Sequence, residues 1–205
     1  GFMNNKTILV TGGAGFIGSN FIRHLLDSYP FCKVINVDKL TYAGNLDNLE
    51  DVRDNPRYRF IHADIGDETK IREIFQKNAP HMVFNFAAES HNYRAVLNPK
   101  IFLQTNVLGT QNLLEVCREF GIERFHHVST CEVYGDLELD NPGKFSEQSP
   151  YNPKTPYNAS KAAADHVVMA YFHTFKVPVT ISNCGNNYGP FQYPEKLIPL
   201  FITNL

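Results

Sequence analysis

The sequence predicts an α/β fold in which a doubly wound parallel sheet is covered by helices on both faces. Short apolar runs alternate with helical patterns from the first residues onward, and a glycine-rich turn over residues 12–18 directly follows the first run. Strands separated by helices imply right-handed crossovers, which build a parallel sheet buried on both faces. The 205 residues suffice for one such domain.

Six apolar runs have the length of buried strands, and the segments between them have helical spacing. We predict strands over residues 7–10, 34–37, 58–61, 82–86, 125–129 and 177–181. We predict helices over residues 15–28, 68–77, 99–120 and 157–175, and one more from Glu195 onward. The Pro-rich residues 149–156 are predicted to form a loop, because Pro156 fixes the backbone just before a helix begins.

Composition excludes several classes of function. The net charge is −2 without a basic stripe, which argues against a nucleic-acid partner or an acidic membrane surface. No apolar run reaches the ~20 residues that cross a bilayer, and residues 1–3 lack a signal-peptide pattern, so we expect a cytoplasmic protein starting at Met3. The four cysteines are too scattered for a zinc site, and we expect reduced thiols and no metal. Neighbouring His126 and His127 point to opposite faces of a strand and are expected to be structural.

The glycine-rich turn predicts a dinucleotide site. Gly13, Gly15 and Gly18 lie between a strand and a helix, the context in which this spacing binds a pyrophosphate; the alternative is a tight turn without a ligand. Asp38 ends the second strand, where an acid accepts ribose hydroxyls and repels a 2′-phosphate. Asp64 and residues 86–88 follow two further strands at the same edge of the sheet. We therefore expect NAD rather than NADP.

A Tyr and a Lys four residues apart predict proton transfer beside this site. Tyr157 and Lys161 share one helix face, and the ammonium would lower the pKa of the phenol so that it can deprotonate a sugar or alcohol hydroxyl. Thr130 and Glu132 end an upstream strand at the active edge of the sheet. The alternative for Glu132 is a solvated surface carboxylate.

Three motifs resemble the extended short-chain dehydrogenase/reductases: residues 12–18, Tyr157 with Lys161, and residues 186–190. Residues 38–46, 87–91 and 193–199 narrow the resemblance to the dTDP-glucose 4,6-dehydratases, and it covers almost the whole chain. The resemblance implies a Rossmann-type NAD-binding domain over residues 1–205. Residues 183–205 would begin a substrate-binding lobe that is largely absent. It also implies a homodimer through the helices over residues 99–120 and 157–175.

The implied reaction is an internal redox dehydration of dTDP-glucose, or of a related dTDP- or UDP-hexose, to the 4-keto-6-deoxy sugar. Tyr157 would take the proton of the 4-hydroxyl while hydride passes to NAD+, and Glu132 would remove the C5 proton before water leaves C6. The implied catalytic residues are Thr130, Cys131, Glu132, Tyr157 and Lys161, and the substrate would be held by Ser90, Thr130, Glu132 and Asn186. The implied cofactor residues are Gly12, Gly15, Phe16, Ile17, Gly18, Asp38, Lys39, Leu40, Thr41, Asp64, Ile65, Phe86, Ala87, Ala88, Thr105, Ser129, Tyr157, Lys161 and Asn187.

The chain departs from the family pattern at three places. Cys131 replaces the Asp that gives a proton to the leaving hydroxyl. A thiol is mostly protonated near neutral pH and can donate, or Cys131 is a small apolar replacement and Glu132 serves as both base and acid. Residues 91–95 differ beside the substrate, and Gly185 replaces a Ser. We expect the 205-residue chain to bind NAD but to turn over slowly, if at all.

Two other functions remain open from the sequence. A nucleotide-sugar 4-epimerase or reductase would share Gly13, Asp38, Tyr157 and Lys161, but it needs no base at C5, so Glu132 argues against it. A non-catalytic NAD-binding module fits Cys131 and the short chain, whereas the intact Thr, Glu, Tyr and Lys argue against it.

Overall fold

The computed structural model describes residues 3–41, 44–88, 99–137, 143–194 and 196–203, and in it six strands form one sheet. The strands are β1 (Thr7–Thr11), β2 (Lys33–Asp38), β3 (Tyr58–His62), β4 (Met82–Asn85), β5 (Arg124–Thr130) and β6 (Val179–Cys184). All five strand pairs are parallel, in the order β3-β2-β1-β4-β5-β6. The fold is therefore the predicted doubly wound sheet of Rossmann type, with its switch point between β1 and β4.

Helices cover both faces of this sheet. The α-helices are α1 (Phe16–Ser28), α2 (Glu68–Asn78), α3 (Pro99–Phe102), α4 (Thr110–Phe120), α5 (Pro156–Phe175) and α6 (Leu197–Thr203). Two 3₁₀ helices, Leu46–Val52 and Cys131–Tyr134, and a π-helix, Leu103–Gly109, complete the elements.

The core of the described residues lies in two large clusters, one on each face of the sheet, and a small third cluster of Val133, Tyr134 and Ala162. One cluster joins the sheet to α2, α4 and α5, with Phe75, Leu113 and Phe125 fully buried. The other joins it to α1, where Ile22 and Leu25 pack against β1 and β2. Because helices cover both faces, the ends of the strands are left to carry polar groups.

The predicted helix over residues 99–120 is interrupted by the π-helix. Gly109 allows this segment to approach β3's end, since a Cβ there would lie 2.8 Å from Cγ1 of Ile65. The buried amide of Asn106 donates to Oγ of Ser160 at 2.9 Å, which ties the π-helix to α5. Hydrophobic spacing predicts helix here but does not reveal the wider turn, because a single π turn changes the period only locally.

The sixth strand begins two residues later than predicted. Lys176 ends α5 in the left-handed conformation, and the N–H of Val177 bonds the carbonyl of Tyr171. Val177 therefore completes the helix end in the manner of a Schellman motif instead of entering the sheet. The strand then continues to Cys184 because it pairs with β5 as far as Thr130.

Candidate active site

A cavity of about 640 Å³ lies at the carboxyl ends of the strands and includes the switch point. Its size is that of a small-molecule or cofactor site. It brings together most of the predicted cofactor residues: Gly12, Gly15, Phe16, Ile17, Gly18, Asp38, Lys39, Thr41, Asp64, Ile65, Phe86, Ala87, Ala88, Thr105, Ser129, Tyr157, Lys161 and Asn187. It also brings Thr130, Glu132 and Asn186 to the same space, whereas Ser90 and residues 91–95 lie outside the described residues.

At Gly12 and Gly18 the glycine-rich turn is closed by backbone packing that leaves no room for a side chain. Gly12 has φ of +69°, and a Cβ there would lie 2.6 Å from the backbone nitrogen of Ala87. A Cβ on Gly18 would lie 2.4 Å from the carbonyl oxygen of Gly12. Gly15 begins α1 without a side-chain cap. A helix N-terminus approached this closely by backbone is suited to an anionic group such as a pyrophosphate.

Asp38 is fixed by two backbone donors at the end of β2. Its Oδ2 accepts from the N–H of Ala14 at 2.9 Å, and its Oδ1 accepts from the N–H of Leu40 at 2.8 Å. Burial raises the pKa of this carboxyl above its ordinary value, and the two N–H groups oppose the rise. Leu40 was predicted at the cofactor but is not among the described lining residues; its backbone, at φ of +56°, orients Asp38 instead.

Lys39 and Asp64 form an ion pair on the wall of the cavity near Asp38. The Nζ atom of Lys39 lies 2.6 Å from Oδ2 of Asp64. Burial raises the pKa of Asp64, but hydrogen bonds from Lys39 and from the N–H of Gly66 outweigh it and hold the pKa below its ordinary value. This end of the cavity therefore presents ionised oxygens, which accept hydrogen bonds from hydroxyl or amino groups.

Lys161 is buried under the cavity and held by the backbone. It is 4% exposed, and its Nζ donates to the carbonyl of Val128 at 2.9 Å. Burial lowers the pKa of Lys161 to about 8, against the charge of Asp165, which raises it. Near neutral pH the side chain is thus still an ammonium.

Tyr157 lies one turn before Lys161 on α5 and packs edge-on against the ring of Phe102, with centroids 6.0 Å apart. Burial raises the pKa of its phenol, and the charges of Glu132 and Asp165 raise it further. The expectation of a lowered pKa at Tyr157 is wrong for this structure, because burial and the charges of the two carboxylates raise it.

Thr130 ends β5, and Cys131 and Glu132 lie beside it in the turn that follows. Oγ1 of Thr130 accepts from the N–H of Glu132 at 3.2 Å and caps the 3₁₀ helix Cys131–Tyr134. Thr130 and Glu132 line the cavity, but Cys131 is not among the described lining residues. Three residues complete a 3₁₀ turn, so successive side chains point in different directions. The role of Cys131 among the catalytic residues therefore stays a prediction.

Several residues at the site were not predicted. Asp165 is 1% exposed, lies one turn after Lys161 and accepts from Oγ of Ser129 at 2.8 Å. Its spacing from Tyr157 and Lys161 on one helix face is a signal in the sequence that could have found it. Other cavity residues, to which the sequence analysis gave no role, come from the end of β6 and the segment after it: Cys184, Gly185, Tyr188, Gln192, Tyr193 and Lys196. Tyr188, Tyr193 and Lys196 belong to the motifs over residues 186–190 and 193–199 that carry the family resemblance.

The described residues contain no group of three or more His, Cys, Asp or Glu side chains that could hold a metal ion. Within the same part of the chain, every helix is too short or too polar to cross a bilayer.

Comparison with known proteins agrees with this geometry. The chain is 50% identical to dTDP-glucose 4,6-dehydratase of Neisseria gonorrhoeae over 97% of its length and 60% of the relative. It superimposes on the dTDP-glucose 4,6-dehydratase of Streptomyces venezuelae, solved with NAD, with a TM-score of 0.91 and 48% identity; the match covers 97% of this chain and 61% of that one. UDP-glucose 4-epimerase of Thermus thermophilus is more distant, with a TM-score of 0.82 and 33% identity over 92% and 58% of the two chains.

The chain spans about 60% of the length of these curated relatives. The family model described as GDP-mannose 4,6 dehydratase matches residues 9–205, which includes the glycine-rich turn, Asp38, Glu132 and the Tyr157–Lys161 pair. With that match, and with the cavity that unites those residues, the chain belongs to the GDP-mannose 4,6 dehydratase family.

Proposed function

We propose that this chain is the NAD-binding and catalytic part of a nucleotide-sugar 4,6-dehydratase that acts on dTDP-glucose or a closely related hexose. The observation that carries the proposal is that Glu132, Tyr157 and the glycine-rich turn line one cavity. A carboxylate beside a hydroxyl-directed tyrosine is what an elimination requires in addition to an oxidation. The 50% identity to a dTDP-glucose 4,6-dehydratase supports the choice of substrate.

The residues present fit NAD. Gly12 and Gly18 allow close backbone approach to a pyrophosphate, and Asp38 is placed to accept ribose hydroxyls and to repel a 2′-phosphate. When bound, NAD supplies a hydride acceptor at the sugar C4 and returns the hydride later in the reaction. Lys39 and Asp64 would hold the adenosine end, and Thr105, Ser129 and Asn187 would lie toward the nicotinamide.

Tyr157 and Lys161 are proposed to act on the sugar hydroxyl. Tyr157 would remove the proton of the 4-hydroxyl, helped by the Lys161 ammonium, while Thr130 donates a hydrogen bond to the oxygen of that hydroxyl and orients it. The Thr130 oxygen already accepts from the N–H of Glu132, so its own hydrogen is available to donate. The phenol must lose its proton against burial, so the ammonium beneath it is essential to the step.

Glu132 is proposed to remove the C5 proton that the 4-ketone acidifies. Because Cys131 is not among the described lining residues, we assign to Glu132 the return of that proton to the leaving 6-hydroxyl as well. One carboxyl group can serve as base and then as acid when its two partners lie on the same face of the substrate. Asn186, and Ser90 outside the described residues, are proposed to hold the sugar.

The proposal extends to the domain organisation and the assembly. Residues 183–205 would begin the lobe that binds the nucleotide of the substrate; Tyr188, Leu197 and Phe201 there are exposed. A homodimer through the long helices is supported by apolar side chains exposed on them, among them Leu108 and Phe172.

The test is mass spectrometry of the products after the full-length protein is incubated with dTDP-glucose and, separately, UDP-glucose. We expect loss of one water from the dTDP sugar with no net NADH. The distant likeness to an epimerase gives the second candidate, for which the product would have unchanged mass. Net accumulation of NADH, or no product from either sugar, would contradict the dehydratase.

A further inference from the structure

A chain of buried polar side chains crosses the sheet beneath the cavity. Oγ1 of Thr11 donates to Oδ1 of Asn85 at 2.6 Å, and Nδ2 of Asn85 lies 3.1 Å from Nδ1 of His127. Because the Asn85 oxygen accepts from Thr11, its amide nitrogen faces His127 and donates to Nδ1. His127 therefore carries its proton on Nε2, which lies 3.4 Å from Oδ1 of Asp165. The chain of donors is thus directed toward Asp165.

The Asp165 carboxylate is the end of this chain and is surrounded by donors. Its Oδ2 accepts from Oγ of Ser129 at 2.8 Å, from the hydroxyl of Tyr151 at 2.9 Å and from Nδ2 of Asn183 at 3.4 Å. Burial raises the pKa of Asp165, but His127, Ser129 and the Lys161 charge outweigh it and hold the pKa below its ordinary value. An acid with 1% exposure is therefore kept as an anion.

The Lys161 ammonium needs such an anion. It is 4% exposed, and its one described hydrogen bond is to a neutral carbonyl, that of Val128. A buried ammonium with only a neutral acceptor tends to lose its proton. Asp165 lies four residues further along α5, on the same face. Its charge opposes the effect of burial on Lys161.

We propose that Asp165, held by the donors to its Oδ2 atom, is a positioning residue that keeps Lys161 charged beneath Tyr157. Its part in proton removal from a sugar hydroxyl rests on the proposed function, but its effect on Lys161 does not. The other titratable groups near this pair are Tyr157 on α5, His127 on β5, Cys184 on β6, Tyr151 in the preceding loop, and Glu132 and Tyr134 on the 3₁₀ helix Cys131–Tyr134. Asp165 is the only carboxylate among the described residues that raises the proton affinity of Lys161.

The first experiment measures the titration of the Lys161 side chain directly, without cofactor or substrate. The protein is labelled with ¹³C-lysine, the Lys161 signal is assigned with Lys161→Met, and its titration is followed by NMR in the parent, Asp165→Asn and Asp54→Asn. We expect Asp165→Asn to lower the titration midpoint by about one pH unit or more, the usual effect of a nearby opposite charge. Asp54, on the exposed surface, is the control and should leave it unchanged. A midpoint in Asp165→Asn that equals the parent's would overturn the proposal.

If Asp165→Asn does not fold, the double variant His127→Gln with Asp165→Asn removes the same charge and lets two amides face each other. The same fall in the Lys161 midpoint is expected, and an unchanged midpoint again overturns the proposal. Asp165→Glu should restore the parent midpoint to within about half a unit, because it keeps the charge on the same helix face.

The second experiment joins Asp165 to the reaction. The rate of NADH formation in a single turnover is followed across pH, and in Asp165→Asn we expect its alkaline limb to move to lower pH, in step with the NMR midpoint. NAD affinity should change less than threefold. If the parent forms no NADH with any nucleotide sugar, the proposed function fails while the NMR result still decides the role of Asp165. If the alkaline limb of the pH–rate profile does not move although the NMR titration midpoint of Lys161 falls, Asp165 does not act on the reaction through Lys161.

Discussion

The Nε2 atom of His127 lies 3.4 Å from Oδ1 of Asp165, and both side chains are 1% exposed. Burial lowers the pKa of His127 to about 4, the Lys161 charge lowers it as well, and Asp165 opposes both. At neutral pH the contact is thus a neutral imidazole facing a carboxylate, with its tautomer set by Asn85. The neighbouring histidines differ in environment, since His126 is on the other face with Thr180 and Ser182.

The burial of His127 predicts a loss of stability in acid. The folded pKa of His127 lies below its unfolded value of 6.5, so the unfolded state binds the proton more readily between these values. Stability is then complete above about pH 6.5 and falls as the pH is lowered toward 4, by about 3 kcal/mol from this group. The free energy of unfolding, measured with urea between pH 7.5 and 4.5, should depend less on pH in His127→Gln than in the parent. Parallel curves for parent and variant would contradict this account.

Gly18→Ala is expected to destabilise the fold by about 1–3 kcal/mol. The added Cβ would lie 2.4 Å from a backbone oxygen and 2.8 Å from Cα of Gly13, so the turn must shift. Gly15→Ala in the same turn is the matched control, because its nearest contact is 3.4 Å. Thermal unfolding should lower Tm only in Gly18→Ala, and equal Tm values in the two variants would refute the packing argument.

Asp38→Asn is expected to weaken NAD binding by about 10- to 100-fold, or about 1.5–3 kcal/mol. Both carboxylate oxygens accept backbone N–H groups, so an amide places a donor against a donor and also loses the charge. Titration calorimetry measures the affinities for NAD and for NADP. We expect the ratio of the two affinities, which favours NAD in the parent, to become smaller in Asp38→Asn. The exposed Asp27→Asn on α1 is the control. An unchanged ratio of the two affinities would place the ribose elsewhere.

Tyr157→Phe is expected to slow the first hydride transfer by about 10²- to 10⁴-fold and to leave the fold intact. The ring can keep its edge-on packing against Phe102, so only the hydroxyl is lost. Single-turnover NADH absorbance measures the step, and Tyr29→Phe, which packs against His24, is the control. A parent-like rate in Tyr157→Phe would remove the phenol from the mechanism.

Cys131→Ala is expected to keep the rate of water loss within about threefold of the parent. Cys131 is not among the described residues that line the cavity, so we expect Glu132, and not this thiol, to give a proton to the leaving hydroxyl. Product formation by mass spectrometry in Cys131→Ala and Cys131→Asp makes the comparison. If the rate of water loss falls about 10²-fold in Cys131→Ala and Cys131→Asp keeps the parent rate, the proton donor would have to be reassigned to position 131.

Local sequence patterns determined the parts of the protein that local physics controls. β1 and α1 follow from their apolar residues. The turn between them follows from its glycines, because only glycine fits the backbone at Gly12 and Gly18. The Tyr157–Lys161 pair follows from helical spacing, and the family resemblance that these motifs predict is confirmed by the matches.

Only the tertiary structure decided the charge states and the partners. Lys161 bonds Val128, 33 residues earlier, and Asp165 bonds Ser129, 36 residues earlier, because parallel strands bring distant residues to one edge. Burial then raised the Tyr157 pKa that the i, i+4 spacing alone predicts to fall. Spacing along a helix fixes which side chains are neighbours, but their acidity depends on desolvation and on charges that other strands supply.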